Sequence, residues 1–249
     1  MEKCQYDELK AQQNVHWWFV GKREIVIDFA QTHAGLKEDP KNQILDVGCG
    51  MGLMLNVLAQ YGRIYGVDME QEAVDYCNEC LKEDHIDGQV VLGSLPNAIP
   101  FQDGFFDYIF ALDIIEHVED DIGALNALRN MLKPNGKLII TVPALMSMWS
   151  YNDELNHHFR RYEKDELIRK VRDAGLSIIK CSFYNSYLFF PAWLVRKVKN
   201  LLHVQSSDVT ESSKDGFING LFKKIFVSEK YRLRIGEFKK GVSLIMVCE

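Results

Sequence analysis

The sequence has no long hydrophobic run. Its longest unbroken apolar or aromatic stretch is Tyr187–Val195, nine residues, about half of what a helix needs to cross a bilayer. The opening residues, Met1-Glu2-Lys3-Cys4-Gln5-Tyr6-Asp7, lack the apolar core of a signal peptide. The six cysteines, at 4, 49, 77, 80, 181 and 248, show no disulfide-framework spacing, so reduced thiols are expected. Together these absences point to the cytoplasm, with peripheral membrane contact left open. Basic charge is not in excess: 29 Lys and Arg stand against 35 Asp and Glu, a net charge of -6. That argues against a general nucleic-acid binder. Cys77 and Cys80 have no second close pair and sit in a helical pattern, so they are read as a helix carrying two thiols, and no metal site is expected. No internal repeat is visible. A composition of 47% hydrophobic and 26% charged residues excludes collagen-like, coiled-coil and wholly disordered chains.

What is present is an alternation of strand and helix. Buried strands are predicted at 43–47, 63–68, 89–92, 106–111 and 137–142, the last entered through the turn Lys133-Pro134-Asn135-Gly136. Helices are predicted between them at 53–60, 70–83 and 121–132. A helix at 163–174, a strand at 176–183 and a last strand at 242–248 follow, and the first 36 residues look helical. Such alternation implies right-handed crossovers and a mainly parallel sheet covered on both faces. Residues 186–241 break the rhythm. Two aromatic, basic stretches, 187–204 and 217–235, flank a polar linker at 205–213. This segment holds 11 Lys and Arg against 5 Asp and Glu, a net of +6, so the rest of the chain nets −12. That asymmetry suggests a lid, a surface resting on an anionic membrane, or a homodimer interface.

The richest stretch is Leu45-Asp46-Val47-Gly48-Cys49-Gly50-Met51-Gly52, where a strand ends, the chain turns on glycines and a helix begins. Glycine permits positive φ and close approach of the backbone to a ligand. Ligands of open parallel sheets bind beyond the carboxyl ends of the strands. Asp68 closes the next strand, where one carboxylate can hold both hydroxyls of a ribose. A dinucleotide fingerprint would need a third glycine where Leu53 stands. Asp46, two residues before the first glycine, would also repel a pyrophosphate and suits a ligand with an ammonium and a cationic sulfur. A nicotinamide-dependent oxidoreductase is thus the weaker reading.

These residues resemble the S-adenosylmethionine-dependent methyltransferases of the Rossmann-like (class I) type. Leu45–Gly52 is similar to that family's first motif, Gly66-Val67-Asp68 to its second, Gly93-Ser94-Leu95 to its third and Phe106–Asp113 to its fourth, while Leu132–Lys137 looks like its turn into strand five. Many relatives carry an acid where Ser94 stands. The resemblance implies an α/β fold with a seven-stranded, mainly parallel sheet and an antiparallel last strand. It also implies one methyltransferase domain over 1–249: a helical lid at 1–36, a nucleotide-binding core at 37–185, a helical insertion at 186–241 and the last strand at 242–249. S-adenosylmethionine would be the cofactor and S-adenosylhomocysteine the product. Gly48 and Gly50 would line the methionine moiety, and Asp46 would hold its ammonium. Asp68 would bind the ribose. Met69, Ser94 and Leu95 would flank the adenine. Ala111 and Leu112 would face the methionine end, and Arg23 would pair with the methionine carboxylate. Leu95 and Leu112 can equally be plain core residues.

A hydroxyl acceptor needs a base. Asp113 and His117 stand four apart, on one face if the segment is helical, and His117 or His158 could take the proton. The stretch Asn156-His157-His158-Phe159-Arg160-Arg161-Tyr162, with Trp149 before it, looks like a methyltransferase subgroup associated with sugar, polyketide and lipid-linked acceptors. Trp149, His157, Arg160, Arg161 and Tyr162 are the candidate acceptor contacts, the paired arginines being suited to a carboxylate or phosphate. A structural role remains open for each: a solvated loop packing over the sheet, or a histidine that packs or caps. The expected activity is methylation of a small or lipid-linked acceptor, at oxygen before nitrogen or carbon. The alternative is a protein that binds the cofactor without turnover.

Overall fold

The computed structural model describes residues 14–202 and 216–249. The expectations for 1–13 and for the 205–213 linker fall outside them. The elements are α1 (Trp17–His33), β1 (Gln43–Val47), α2 (Leu55–Leu58), β2 (Arg63–Asp68), α3 (Gln71–Glu83), β3 (Gly88–Leu92), β4 (Phe106–Leu112), α4 (Asp121–Met131), β5 (Leu132–Pro143), α5 (Tyr151–Leu155), α6 (Lys164–Asp173), β6 (Ile178–Tyr184), α7 (Phe189–Leu201), α8 (Phe217–Ile235) and β7 (Ser243–Cys248). The sheet has seven strands in the order β3-β2-β1-β4-β5-β7-β6. The first five strands pair in parallel, and β7 runs antiparallel to both β5 and β6. This is the architecture expected from the sequence.

The central strands are buried on both faces, which is why they read as continuous apolar runs rather than as alternating ones. Successive side chains point to opposite sides. Leu45, Ile109, Ile140 and Met246 pack into one core, and their neighbours Ile44, Phe110, Ile139 and Ile245 into the other. Helix α3 covers the sheet with Ala73, Val74, Cys77 and Leu81, a helical stripe. The Asp120 side chain caps α4 by accepting the Gly123 N–H at 2.8 Å. Cys77 and Cys80 are free thiols within α3, and Cys49, Cys181 and Cys248 are free as well.

Two of the shifted boundaries have a clear cause. The helix expected over 53–60 shrinks to Leu55–Leu58 because Gly48, Gly50 and Gly52 all take positive φ and the chain is still turning through Met54. The fifth strand begins at Leu132 rather than Lys137, because Leu132 pairs with Phe106 across an irregular step.

The two halves of the basic 186–241 segment behave differently. Helix α8 belongs to the body of the protein, laid along α1. Phe226 is fully buried, Trp17 meets Phe222 and Phe226 edge-on, and Asp28 pairs with Arg234. Glu24 lies 3.3 Å from Lys223 and 3.7 Å from Lys230, so part of the basic excess meets acids of the N-terminal helix. Buried Glu229 of α8 accepts the Ser186 and Tyr187 N–H groups at 2.6 and 2.8 Å, fastening the turn after β6. Helix α7, in contrast, has no buried residue and exposes Phe190, Leu194, Val195, Val198 and Leu201.

The α1–α8 contact depends on Gly21, where an added Cβ would come within 2.5 Å of the Phe226 ring. Gly21→Val should therefore lower stability by about 1–3 kcal/mol through overpacking. Each kcal/mol is worth roughly 2–4 °C of Tm at this size. A thermal melt that matches the parent would show that the two helices are not packed together.

Candidate functional site

The site grows from the carboxyl ends of β1, β2 and β4. The strand order reverses at β1, with β2 on one side and β4 on the other. A crevice at such a point is where open α/β sheets bind ligands. Gly48 turns at φ +68 and donates to the Val67 carbonyl at 2.8 Å. A side chain at this position would meet Ile114 at 2.5 Å, so only glycine passes here. Gly50, at φ +51, has nothing within 4 Å of a would-be Cβ, and its N–H donates to Asp68 Oδ2 at 2.8 Å. Asp68 Oδ1 accepts the Glu70 N–H at 3.1 Å. Each Asp68 oxygen thus takes one backbone donor and keeps acceptor capacity for a ligand. Met69 beside it is 69% exposed. Gly93 donates to the Asp68 carbonyl at 2.9 Å, which brings exposed Ser94 and half-buried Leu95 to the same rim.

Asp46 is buried beneath this rim, and among the described residues no side-chain hydrogen bond holds its carboxylate. Burial pushes its pKa up to about 7, with Lys22 pulling down and Asp68 pushing up. A buried carboxylate that no side chain of the described residues hydrogen-bonds, an acid with spare acceptor capacity and a glycine facing open space fit a ligand with an ammonium at one end and a diol at the other. Ala111 is a correction: it is fully buried in the core, so its side chain lines no cleft. Leu112 is half-buried and packs on the opposite core.

The cation that enters the site is Lys22, not Arg23. Lys22 is buried, lies 2.6 Å from Asp113 Oδ2 and sits 5.2 Å from the Trp18 ring centroid. Arg23 lies one residue round the helix and, among the described residues, hydrogen-bonds Asn14 at 3.5 Å. The signal was in the helical period, since Lys22 shares the buried stripe of Ile25 and Phe29.

Asp113 is also corrected as a proton acceptor. Its second oxygen accepts the Thr141 hydroxyl at 2.9 Å. Burial alone would raise its pKa, yet Lys22 and Thr141 hold it below the ordinary carboxylate range. Nor do Asp113 and His117 share a helical face. Asp113 has φ +55, and only the 3-10 turn Ile115–His117 follows. His117 instead meets His158 edge-on, with ring centroids 4.6 Å apart. Burial and the neighbouring His158 lower the His117 pKa to about 4, so its ring is neutral near neutral pH.

The 143–162 loop is anchored inward. Asp153 accepts from His158 Nδ1 at 2.9 Å, from Arg161 Nε at 2.8 Å and from the Ser150 N–H at 2.9 Å. Although burial opposes it, His158 and Arg161 hold the Asp153 pKa down at about 2. Arg161 also donates to the Ala144 carbonyl at 3.2 Å. Arg160 pairs with Asp121 at 2.8 Å and donates to the Glu119 carbonyl. Buried Tyr162 donates to Asp121 at 2.9 Å. Arg160, Arg161 and Tyr162 are therefore corrected from acceptor contacts to internal ties, because acids at hydrogen-bonding distance already claim them. His157 is exposed at φ +55, and half-buried Trp149 accepts at its carbonyl from Asn200 of α7. Glu116 went unnoticed in the sequence: it is fully buried beside His117, with neither carboxylate oxygen hydrogen-bonded.

Residues 45–140 match the family model described as a methyltransferase domain. The chain is 28% identical over 150 residues to a ubiquinone biosynthesis O-methyltransferase of Xanthomonas euvesicatoria pv. vesicatoria, covering 55% of this chain and 63% of that one. It thus spans less than two thirds of that relative's length. Among solved structures, it is similar to a putative sarcosine dimethylglycine methyltransferase from Galdieria sulphuraria, with a TM-score of 0.62 at 16% identity, covering 92% of this chain and 85% of that one. It is also similar to the geranyl diphosphate C-methyltransferase of Streptomyces coelicolor A3(2) in complex with Mg2+, geranyl diphosphate and S-adenosyl-L-homocysteine. That match has a TM-score of 0.61 at 18% identity, covering 92% and 80%.

Proposed function

Because this chain belongs to the class I S-adenosylmethionine-dependent methyltransferases, we propose that it methylates an oxygen of a small or lipid-linked acceptor. The observation that carries the reading is the rim at β1 and β2, where a buried Asp46 that no side chain of the described residues hydrogen-bonds and a half-satisfied Asp68 flank a glycine turn. When bound there, the cofactor supplies an electrophilic methyl on a sulfonium. Asp68 holds the ribose hydroxyls, Asp46 the ammonium, and Met69, Ser94 and Leu95 border the adenine. Lys22 neutralises Asp113 and closes the site from the α1 side. The imidazole of His117, neutral near neutral pH, and that of His158 beside it face the acceptor's reacting hydroxyl.

In this reading residues 1–249 work as one methyltransferase domain. No helix of the described residues is long and apolar enough to cross a membrane. The exposed apolar strip of α7, next to Arg196, Lys197 and Lys199, offers an apolar tail a place to lie at an anionic membrane surface. The name of the Xanthomonas relative, an O-methyltransferase of ubiquinone biosynthesis, supports both the oxygen and the lipid-linked acceptor. Incubation with methyl-labelled S-adenosylmethionine and cell extract should move label into a lipid-soluble product. Label confined to water-soluble small molecules would overturn the lipid-linked part. Tight cofactor binding with no transfer to any fraction would make the protein a cofactor sensor.

The buried state of Asp46 sets a pH dependence. An ammonium partner requires the carboxylate, whose pKa in the free protein is about 7. Affinity for S-adenosylhomocysteine should rise with pH to about 7 and level off above it. Below that point it should fall by up to about tenfold per pH unit, since one unit corresponds to about 1.4 kcal/mol. Calorimetric titration from acid to neutral pH checks this, and Asp46→Asn should flatten the slope. An equally steep slope in Asp46→Asn would assign the effect to another group.

A further inference from the structure

Among the described residues, one group brings three metal-ligating side chains together: Glu116, His117 and His158, whose ligand atoms all lie within 4.8 Å of one another. We propose that these three side chains form a binding site for a zinc-type divalent ion, held by two imidazoles and one carboxylate with a fourth position open. The inference deepens the methyl-transfer reading, on which its catalytic role rests, by giving the two imidazoles an ion whose open position faces the acceptor oxygen, but its test does not depend on that reading.

The strongest observation is Glu116. Both of its carboxylate oxygens are buried and neither has a hydrogen-bond partner. Ionised or protonated, a buried carboxyl group without partners is costly. A divalent cation would supply the missing partner.

His158 is prepared as a ligand in the usual outer-sphere manner, fixed through its other ring nitrogen. His158 Nδ1 lies 2.9 Å from Asp153 Oδ1, which orients the ring and leaves Nε2 for an ion. The His117 ring is held edge-on against His158, with centroids 4.6 Å apart. Phe159 N–H donates to the Glu116 carbonyl at 2.9 Å, tying the two ligand-bearing loops together.

The nearby cations do not compete with an ion, since Lys22 is paired with Asp113 and Arg161 with Asp153. Zinc–nitrogen bonds of about 2.0–2.1 Å put tetrahedral ligands roughly 3.4 Å apart. The three ligands need to close by up to about 1.5 Å, a side-chain adjustment. Two imidazoles favour zinc, cobalt or nickel over magnesium, which prefers an all-oxygen shell.

The test uses the full chain stripped by a chelator, with zinc as the only added probe and neither cofactor nor acceptor present. Wild type should retain one ion per chain after dialysis and melt higher with zinc than without. Glu116→Gln and His158→Ala should bind zinc at least tenfold more weakly and lose the zinc-dependent rise in Tm. Circular dichroism shows whether each variant is folded. If one is not, the other decides. If neither is, cobalt decides through the intense visible bands of a four-coordinate site in wild type. Zinc retained equally by wild type and a folded variant, or a cobalt spectrum of the hydrated ion, overturns the proposal. Zinc binding without methyl transfer would leave this centre standing and sink only the reading above, while methyl transfer without zinc binding does the reverse.

Discussion

Asp68→Ala should weaken binding of S-adenosylhomocysteine by about 100-fold or more, as read by titration calorimetry. The carboxylate sits at the carboxyl end of β2, with one oxygen on the Gly50 N–H and the other on the Glu70 N–H. A hydrogen bond to a charged group contributes about 1.5–3 kcal/mol, and two ribose hydroxyls would each make one, so a loss of about 3 kcal/mol is the lower end. Alanine also releases the Gly50 amide, loosening the turn that must lie against the ligand. Asp68→Asn keeps one acceptor oxygen and should fall between the two. If Asp68→Ala binds as the parent does, the ribose is held elsewhere and the site reading at β2 fails.

The second large effect separates two roles for one arginine. Arg161 is 4% exposed and binds Asp153 and the Ala144 carbonyl. Removing one member of a buried pair costs about 3–5 kcal/mol because the other charge is left uncompensated. Arg161→Ala should therefore lower Tm by roughly 6–20 °C at 2–4 °C per kcal/mol. An arginine reaching out to an acceptor carboxylate would give the opposite pattern, with a raised KM and an unchanged Tm. That outcome would overturn the internal role.

The sheet, its order of elements and the glycine turn were legible because they are written locally. Continuous apolar runs mark strands buried on both faces, and glycines stand where the backbone takes positive φ. Asp68 was legible for the same reason, since its place follows from the end of a predicted strand. The acceptor side was not, because its chemistry depends on pairings across the chain. Lys22 finds Asp113 91 residues away, and nothing local to Lys22 says that its neighbour Arg23 faces outward except the helical stripe. Arg160, Arg161 and Tyr162 looked like a solvent-facing cluster because five polar groups surround one phenylalanine. Of the acids that draw them inward, Asp121 lies 41 residues before Tyr162, while Asp153 sits in the same loop but reaches Arg161 only once that loop folds back. Asp113 and His117 carried helical spacing into a segment that does not form an α-helix. Glu116 stood beside a residue already singled out, yet its isolation is a property of packing alone.

The strand order has a bearing on how the molecule comes into being. β7 is buried along its whole length and is threaded between β5 and β6, both of which leave the ribosome earlier. Until Ser243–Cys248 emerges, those two neighbours have no shared partner and a gap runs through the sheet between them. Completion of the core therefore waits on the synthesis of this late segment. A nascent chain arrested shortly before it would hold two exposed strand edges, open to pairing with other chains.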